Sequence, residues 1–147
     1  MRIAVAADHA GYALKERIAE HLRVLGHDVV DFGTSSENPT DYPDYGGPAA
    51  QSVGAGDADR GVFVCGSGQG MTMVANAVRG VRAALAWRSD IAELSRQHND
   101  ANVLCLPARF IGADEALAIV DLWLATPFEG GRHARRVEKI SHYEGEE

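Results

Sequence analysis

Much of what this sequence lacks is informative. It has two cysteines, Cys65 and Cys105, in 147 residues. Two thiols at this separation form neither a disulfide framework nor a metal-ligand spacing. Its six histidines contain no H-x-x-x-H pair, and no carboxylate is read beside them at metal spacing. No metal site is expected on these grounds. Basic charge is not in excess: 14 Lys and Arg stand against 21 Asp and Glu, for a net charge of −7. That balance excludes nucleic acid as a bulk electrostatic partner and leaves room for a small anion held by local arginines. No apolar run is long enough to span a membrane, and the opening Met1 to Asp8 is too short an apolar segment for a secretory signal. A soluble cytoplasmic protein is the expectation. Internal repeats, low-complexity stretches and linkers are absent too, so one domain is expected over 1–147, with a mobile acidic tail from about residue 144.

What is present is an apolar fraction of 46%, enough for a core. It is arranged as an alternation. Ile3 to Ala7 reads as a strand. A helix over 11–25 follows, with Leu14, Ile18, Leu22 and Leu25 on one stripe, ended by Gly26. Val29 to Phe32 is a second strand. Residues 33–45 read as loop, broken by Pro39 and Pro43, before a helix over 46–54. Strands follow at 62–64, 81–87 and 103–106. Helices are expected after Gly70, after a capping Ser89, over 112–125 with Leu117, Val120 and Leu124 inward, and over 131–140. Continuous apolar strands alternating with helices predict an α/β fold: a three-layer sandwich, with a five-stranded parallel sheet between helices. Ligands in such folds bind beyond the C-terminal strand ends. Asp8, His9, Cys65 and Arg109 all fall there.

Cys65 is the most telling of these residues. It ends an apolar strand and opens the run Gly66-Ser67-Gly68-Gln69-Gly70, after which helical character begins. Such a turn aims backbone N–H groups at whatever sits above the helix. That place suits an anion, and it favours the thiolate form of a nearby cysteine. A small buried residue at a strand end is the plainer reading of a free cysteine, but a merely structural cysteine needs no such loop. Cys105 lacks the loop and reads as core. A nucleotide site fits poorly. The run is G-x-G-x-G after the third strand, no acidic residue follows at the ribose-binding distance, and no G-K-[ST] is present.

The other constellations are weaker alone. Asp8 and His9 in the first β–α turn are either a helix cap with an incidental histidine or a ligand-positioning turn. His98 ends the fourth helix, on the face of Ile91 and Leu94. There it is either a histidine satisfied by the helix dipole or a functional group. Arg132 and Arg136, at i and i+4, are either a solvated basic patch or a phosphate clamp.

Taken in order, Ala7-Asp8-His9-Ala10-Gly11, Asp31 to Thr34, Asp41-Tyr42-Pro43, Cys65 to Gly70, Ser95 to Asp100 and Glu129 to His133 resemble the type B ribose-5-phosphate isomerases, in the family shared with the galactose-6-phosphate isomerase subunits. The resemblance covers nearly the whole chain. It implies a Rossmann-like α/β sandwich and an aldose–ketose isomerase acting on a sugar phosphate in the non-oxidative branch of the pentose phosphate pathway, without metal or cofactor. Homodimers or dimers of dimers are implied, with active sites across the interface.

The same resemblance implies roles for residues. Cys65 is the base between C2 and C1, Ser67 shuttles protons between O1 and O2, and His98 opens the furanose ring. Gly66, Gly68 and Gly70 lie in the loop whose amides hold the enediolate oxygen. His9, Arg109, Arg132 and Arg136 bind phosphate, the last two from the partner subunit. Asp8, Tyr42 and Asn99 contact the sugar. Some members carry a glutamate base just after the loop; here that position is Met71. Many carry lysine where this chain has Ala77. In the galactose enzyme the cysteine and histidine functions lie on different subunits. This chain keeps both, which favours a self-sufficient homo-oligomer and a pentose phosphate, with a hexose 6-phosphate such as allose or galactose 6-phosphate as the alternative.

Overall fold

The structure, a computed structural model, describes residues 1–144. Of the expected tail, Gly145 to Glu147 lie outside the described residues. The elements run β1 (Arg2–Ala7), α1 (Tyr12–Val24), β2 (Asp28–Asp31), α2 (Tyr42–Gly54), β3 (Arg60–Cys65), α3 (Gln69–Asn76), β4 (Ala83–Leu85), α4 (Ser89–Gln97), β5 (Val103–Pro107), α5 (Ala113–Ala125) and α6 (Arg132–Ser141). The five strands form one sheet in the order β2-β1-β3-β5-β4, every pairing parallel. The expected α/β architecture is therefore the observed one.

Strand alternation sorts the core into two layers. Ile3, Val5, Ala7, Val62, Val64, Leu104 and Leu106 face α1, α4 and α5. Ala4, Ala6, Phe63, Cys65, Val103 and Cys105 face α2 and α3. Both faces are covered, which is why the strands read as unbroken apolar runs. Lys15 is buried at 1% exposure, and its ammonium lies 2.8 Å from both carboxylate oxygens of Asp31, pinning α1 to β2. The chain leaves β1 toward β2, then crosses back to β3. That reversal opens a crevice above the C-terminal ends of β1 and β3, where this class of sheet binds ligands.

Several local expectations change. Helix α2 begins at Tyr42, four residues early, because Pro43 sits in its first turn, where no intrahelical N–H is needed. Ser89 is not the cap of α4: Arg88 holds that position, and no side chain caps the end. The buried face of α4 is Ala92, Ser95 and Arg96, so Leu94 is 44% exposed. In α5 the inward stripe is Ala116, Ile119, Val120 and Trp123; Leu117 and Leu124 are only partly buried. Strand β4 shortens to three residues. Helix α6 buries only His133. Beyond its C-terminal end, the Gly80 N–H donates to Glu144 Oε1 at 3.3 Å. No helix among the described residues is long and apolar enough to cross a membrane.

Candidate active site

The expected site residues fall into two groups at opposite ends of the sheet. The first gathers at the C-terminal strand ends. Cys65 closes β3 opposite Pro107 of β5, and only 5% of it is exposed. The Cys65 and Gly66 carbonyls accept from the Ala108 and Arg109 amides at 2.9 and 3.0 Å, so the β5–α5 turn folds onto the glycine loop. The Arg109 guanidinium then lies against Gly66: a Cβ there would stand 3.0 Å from Arg109 Nη1. Gly68 has φ +76°, a conformation that favours glycine. A Cβ at Gly70 would meet the Tyr42 ring at 2.6 Å, so the ring packs on the glycine backbone. Ser67 is exposed at the rim, its hydroxyl accepting from the Gln69 amide at 3.4 Å.

Asp8 and His9 complete this group. Asp8 is 8% exposed, and its Oδ1 accepts from the Gly11 amide at 3.0 Å. His9 Nδ1 accepts from the Thr40 amide at 3.2 Å. With Nδ1 an acceptor, the neutral ring carries its proton on Nε2, which leaves that N–H free for an anion. Tyr45 anchors the same loop. Hydrogen bonds with Thr40 and Thr34 hold its phenol below the usual range. Thr40 and Tyr45 were not found from the sequence, because nothing in their spacing marks them.

The second group lies at the other end. Helix α4 runs back from the end of β4, so its C-cap, His98, sits where β5 begins. His98 and His133 stack with ring centroids 4.2 Å apart and planes 9° from parallel. Glu129 Oε1 lies 3.8 Å from His98 Nε2 and 3.5 Å from His133 Nε2. The Glu129 amide donates to the Gln97 carbonyl at 3.1 Å. Burial first, then His98 and Arg132, with a smaller contribution from Arg136, hold the His133 imidazole below its usual range, against the pull of Glu129. Arg132 and Arg136 are carried by the same helix as His133. Asn99 follows His98 and lines a groove of about 840 Å³ with Arg82, Ile140 and Tyr143, a groove that takes in neither Cys65 nor His9.

Glu129 and His133 lie in a stretch that carries the resemblance but were given no role of their own, although their i, i+4 spacing was a visible carboxylate–histidine signal. Together with His98 they form the one group of three ligand-type side chains, among the described residues, that stands close enough for a metal ion. The ring geometry does not suit one. Imidazole lone pairs lie in the ring plane, and two parallel stacked planes do not converge on a point.

Cys65 and His98 are therefore far apart within one chain. The amide of Gly61, at the start of β3, bonds the carbonyl of Asn102, just past the His98 turn. From Gly61 to Cys65 the strand advances about 13 Å. One pentose phosphate cannot present its C2 proton to Cys65 and its ring oxygen to His98 across that span. His98 and Asn99 stand at the Arg132 and Arg136 end of the sheet, away from Cys65.

Cys105 is fully buried, and burial pushes its thiol up to about 12; a Thr72 hydrogen bond opposes this. It is core, as its sequence setting predicts.

The chain matches the family model described as Ribose/Galactose Isomerase over residues 3–140. It is 45% identical to ribose-5-phosphate isomerase B of Escherichia coli strain K12, over 97% of this chain and 96% of that protein. It is 42% identical to the Mycobacterium tuberculosis H37Rv ribose-5-phosphate isomerase B, over 98% of this chain and 90% of that one. Among solved structures, the Clostridium thermocellum ribose-5-phosphate isomerase B superposes with a TM-score of 0.95 at 49% identity, covering 97% and 96% of the two chains. The Mycoplasma genitalium ribose-5-phosphate isomerase B, solved with bound ribulose-5-phosphate, gives 0.93 at 46% identity, covering 97% and 95%. With the five-stranded parallel fold, these likenesses show that the chain belongs to the ribose/galactose isomerase family.

Proposed function

We propose that this chain interconverts D-ribose 5-phosphate and D-ribulose 5-phosphate through an enediolate, in active sites that two copies complete together. The observation that carries the reading is Cys65 at the mouth of a glycine loop whose Gly66 lies against the Arg109 guanidinium and whose Gly70 packs on the Tyr42 ring. The ribose-5-phosphate isomerases among its relatives supply the substrate.

His98 of the partner copy opens the furanose. The O1 hydroxyl loses its proton, the bond between C1 and the ring oxygen breaks, and that oxygen is protonated. Cys65, as thiolate, then takes the proton from C2 of the aldehyde. A proton α to a carbonyl is only weakly acidic, so this base needs an oxyanion site beside it. Amides of the Gly66 to Gly70 loop face the developing O1 charge. The Ser67 hydroxyl carries a proton between O2 and O1, and the Cys65 thiol returns its proton to C1. Carbon gains and loses one proton, and no electron acceptor enters. His9 through its Nε2–H and Arg109 hold the phosphate from one copy; Arg132 and Arg136 approach from the other. Asp8, Tyr42 and Asn99 orient the sugar hydroxyls.

The test is turnover of ribose 5-phosphate by the purified protein with a chelator present. Sustained formation of ribulose 5-phosphate is expected. A folded oligomer that turns over only allose or galactose 6-phosphate would contradict the pentose assignment. One that turns over no sugar phosphate would contradict the enzyme reading.

A further inference from the structure

Asp100 is the only non-glycine residue with positive φ, at +48°, among the described residues. It follows His98 and Asn99 directly. Aspartate tolerates this conformation better than most residues, but glycine is the usual choice where a helix turns off in this way. Its carboxylate accounts for the difference. Arg96 Nη1 donates to Asp100 Oδ1 at 2.8 Å and to the Ala101 carbonyl at 2.7 Å, and Arg96 Nε donates to the Thr126 carbonyl at 3.1 Å. Arg82 approaches from the other side, its Nε donating to the Asp100 carbonyl at 2.9 Å and its Nη2 to Oδ2 at 3.4 Å. Arg96 is 5% exposed, so its charge is desolvated and must stay paired.

We propose that Arg96 and Asp100 are positioning residues for ring opening: they fix the turn that carries His98 and register it against the segment that carries Glu129 and His133. The Thr126 carbonyl that Arg96 holds begins that segment. The His98 side chain is 40% exposed, and among the described residues its contacts are the His133 ring and the Glu129 carboxylate. Its place therefore depends on its backbone turn and on the His133 segment, and the Arg96 guanidinium ties the two together. A planar fork reaches three acceptors at fixed angles; an ammonium group does not.

The inference rests on the reading of His98 as the ring-opening group, and direction-resolved kinetics separate the two. Ribose 5-phosphate is mostly a closed ring, whereas ribulose 5-phosphate, with its O5 esterified, stays open. An enzyme that cannot open the ring depends on spontaneous opening, so its forward rate levels off as enzyme is added. Its reverse rate stays proportional to enzyme. His98→Asn is expected to show this signature. Asp100→Gly keeps the backbone free to adopt positive φ and removes only the carboxylate. It is expected to show the same signature, with forward kcat down on the order of ten- to a hundredfold. Asp100→Asn, which keeps an acceptor for Arg96, is expected to recover most of the forward rate. Arg96→Lys is expected to fall between the two.

If His98→Asn lacks the signature, the ring-opening reading fails, and the positioning role with it. If His98→Asn shows it while Asp100→Gly turns over like the wild type, the positioning role alone is wrong. Equal loss in both directions in folded Asp100→Gly also overturns it, because that is general damage.

Discussion

His98 and His133 stack face to face, centroids 4.2 Å apart, with Glu129 Oε1 within 3.8 Å of both Nε2 atoms. Two imidazolium rings at that distance repel, so the His98 ring disfavours a proton on His133. The pKa of His133 is lowered by burial, by His98 and by Arg132 and Arg136.

A consequence for acid stability follows. A histidine held below its usual range is protonated more readily in the unfolded chain than in the folded one. Its contribution to stability is complete above the ordinary histidine range and is lost as pH falls from there through the folded value. Wild-type stability in urea should therefore decline from about pH 7 toward pH 5. His133→Asn should decline less over the same interval. Identical pH slopes for the two proteins would contradict the assignment.

The two thiols should differ in reactivity. Cys105 is fully buried and its thiol is pushed up to about 12, so it is almost entirely un-ionised near neutrality. Alkylation of the folded protein followed by peptide mass spectrometry should find the label on Cys65, with activity lost in step. Cys65→Ala should take up essentially no label until unfolded. Early labelling of Cys105 would contradict its place in the core.

The glycine loop separates substrate binding from folding. Gly66→Ala would place its Cβ 3.0 Å from the far end of the Arg109 side chain, which can move. That variant should fold normally and show a raised KM, because the phosphate ligand is displaced. Gly68→Ala must hold alanine at φ +76°, against Leu85 and the backbone at Leu106. It should lose stability, by about 1–2 kcal/mol from the backbone alone. Denaturant melts beside kinetics check both. A Gly66→Ala enzyme with unchanged KM would remove Arg109 from the phosphate site.

The fold was legible because both faces of the sheet are covered, which makes Ile3 to Ala7 and Val62 to Val64 continuous apolar runs with no competing pattern. The grouping around Cys65 was legible too, since Asp8, His9, Gly66 and Arg109 follow the ends of β1, β3 and β5 closely in sequence. Helix faces were less so. Nothing in the local sequence marks Arg96 as buried, and it is Ala101, Asp100 and Thr126 that supply the acceptors that let its guanidinium be buried. That rotates α4 and exposes Leu94. The partnership of His98 with Glu129 and His133 depends on where α5 delivers the chain, which local spacing does not carry.

The central claim is that each active site joins the Cys65 end of one copy to the His98 end of another. Its most direct test mixes Cys65→Ala, which lacks the base, with His98→Asn, whose ribose 5-phosphate turnover is limited by spontaneous ring opening, at an enzyme concentration where both are far below wild type and under conditions where subunit exchange is verified by mass. In a mixed dimer, one of the two sites has both residues intact. At statistical mixing, ribose 5-phosphate turnover should rise to about a quarter of wild type. If exchange is demonstrated and turnover stays at the level of the separate variants, Cys65 and His98 do not act in one site across the interface.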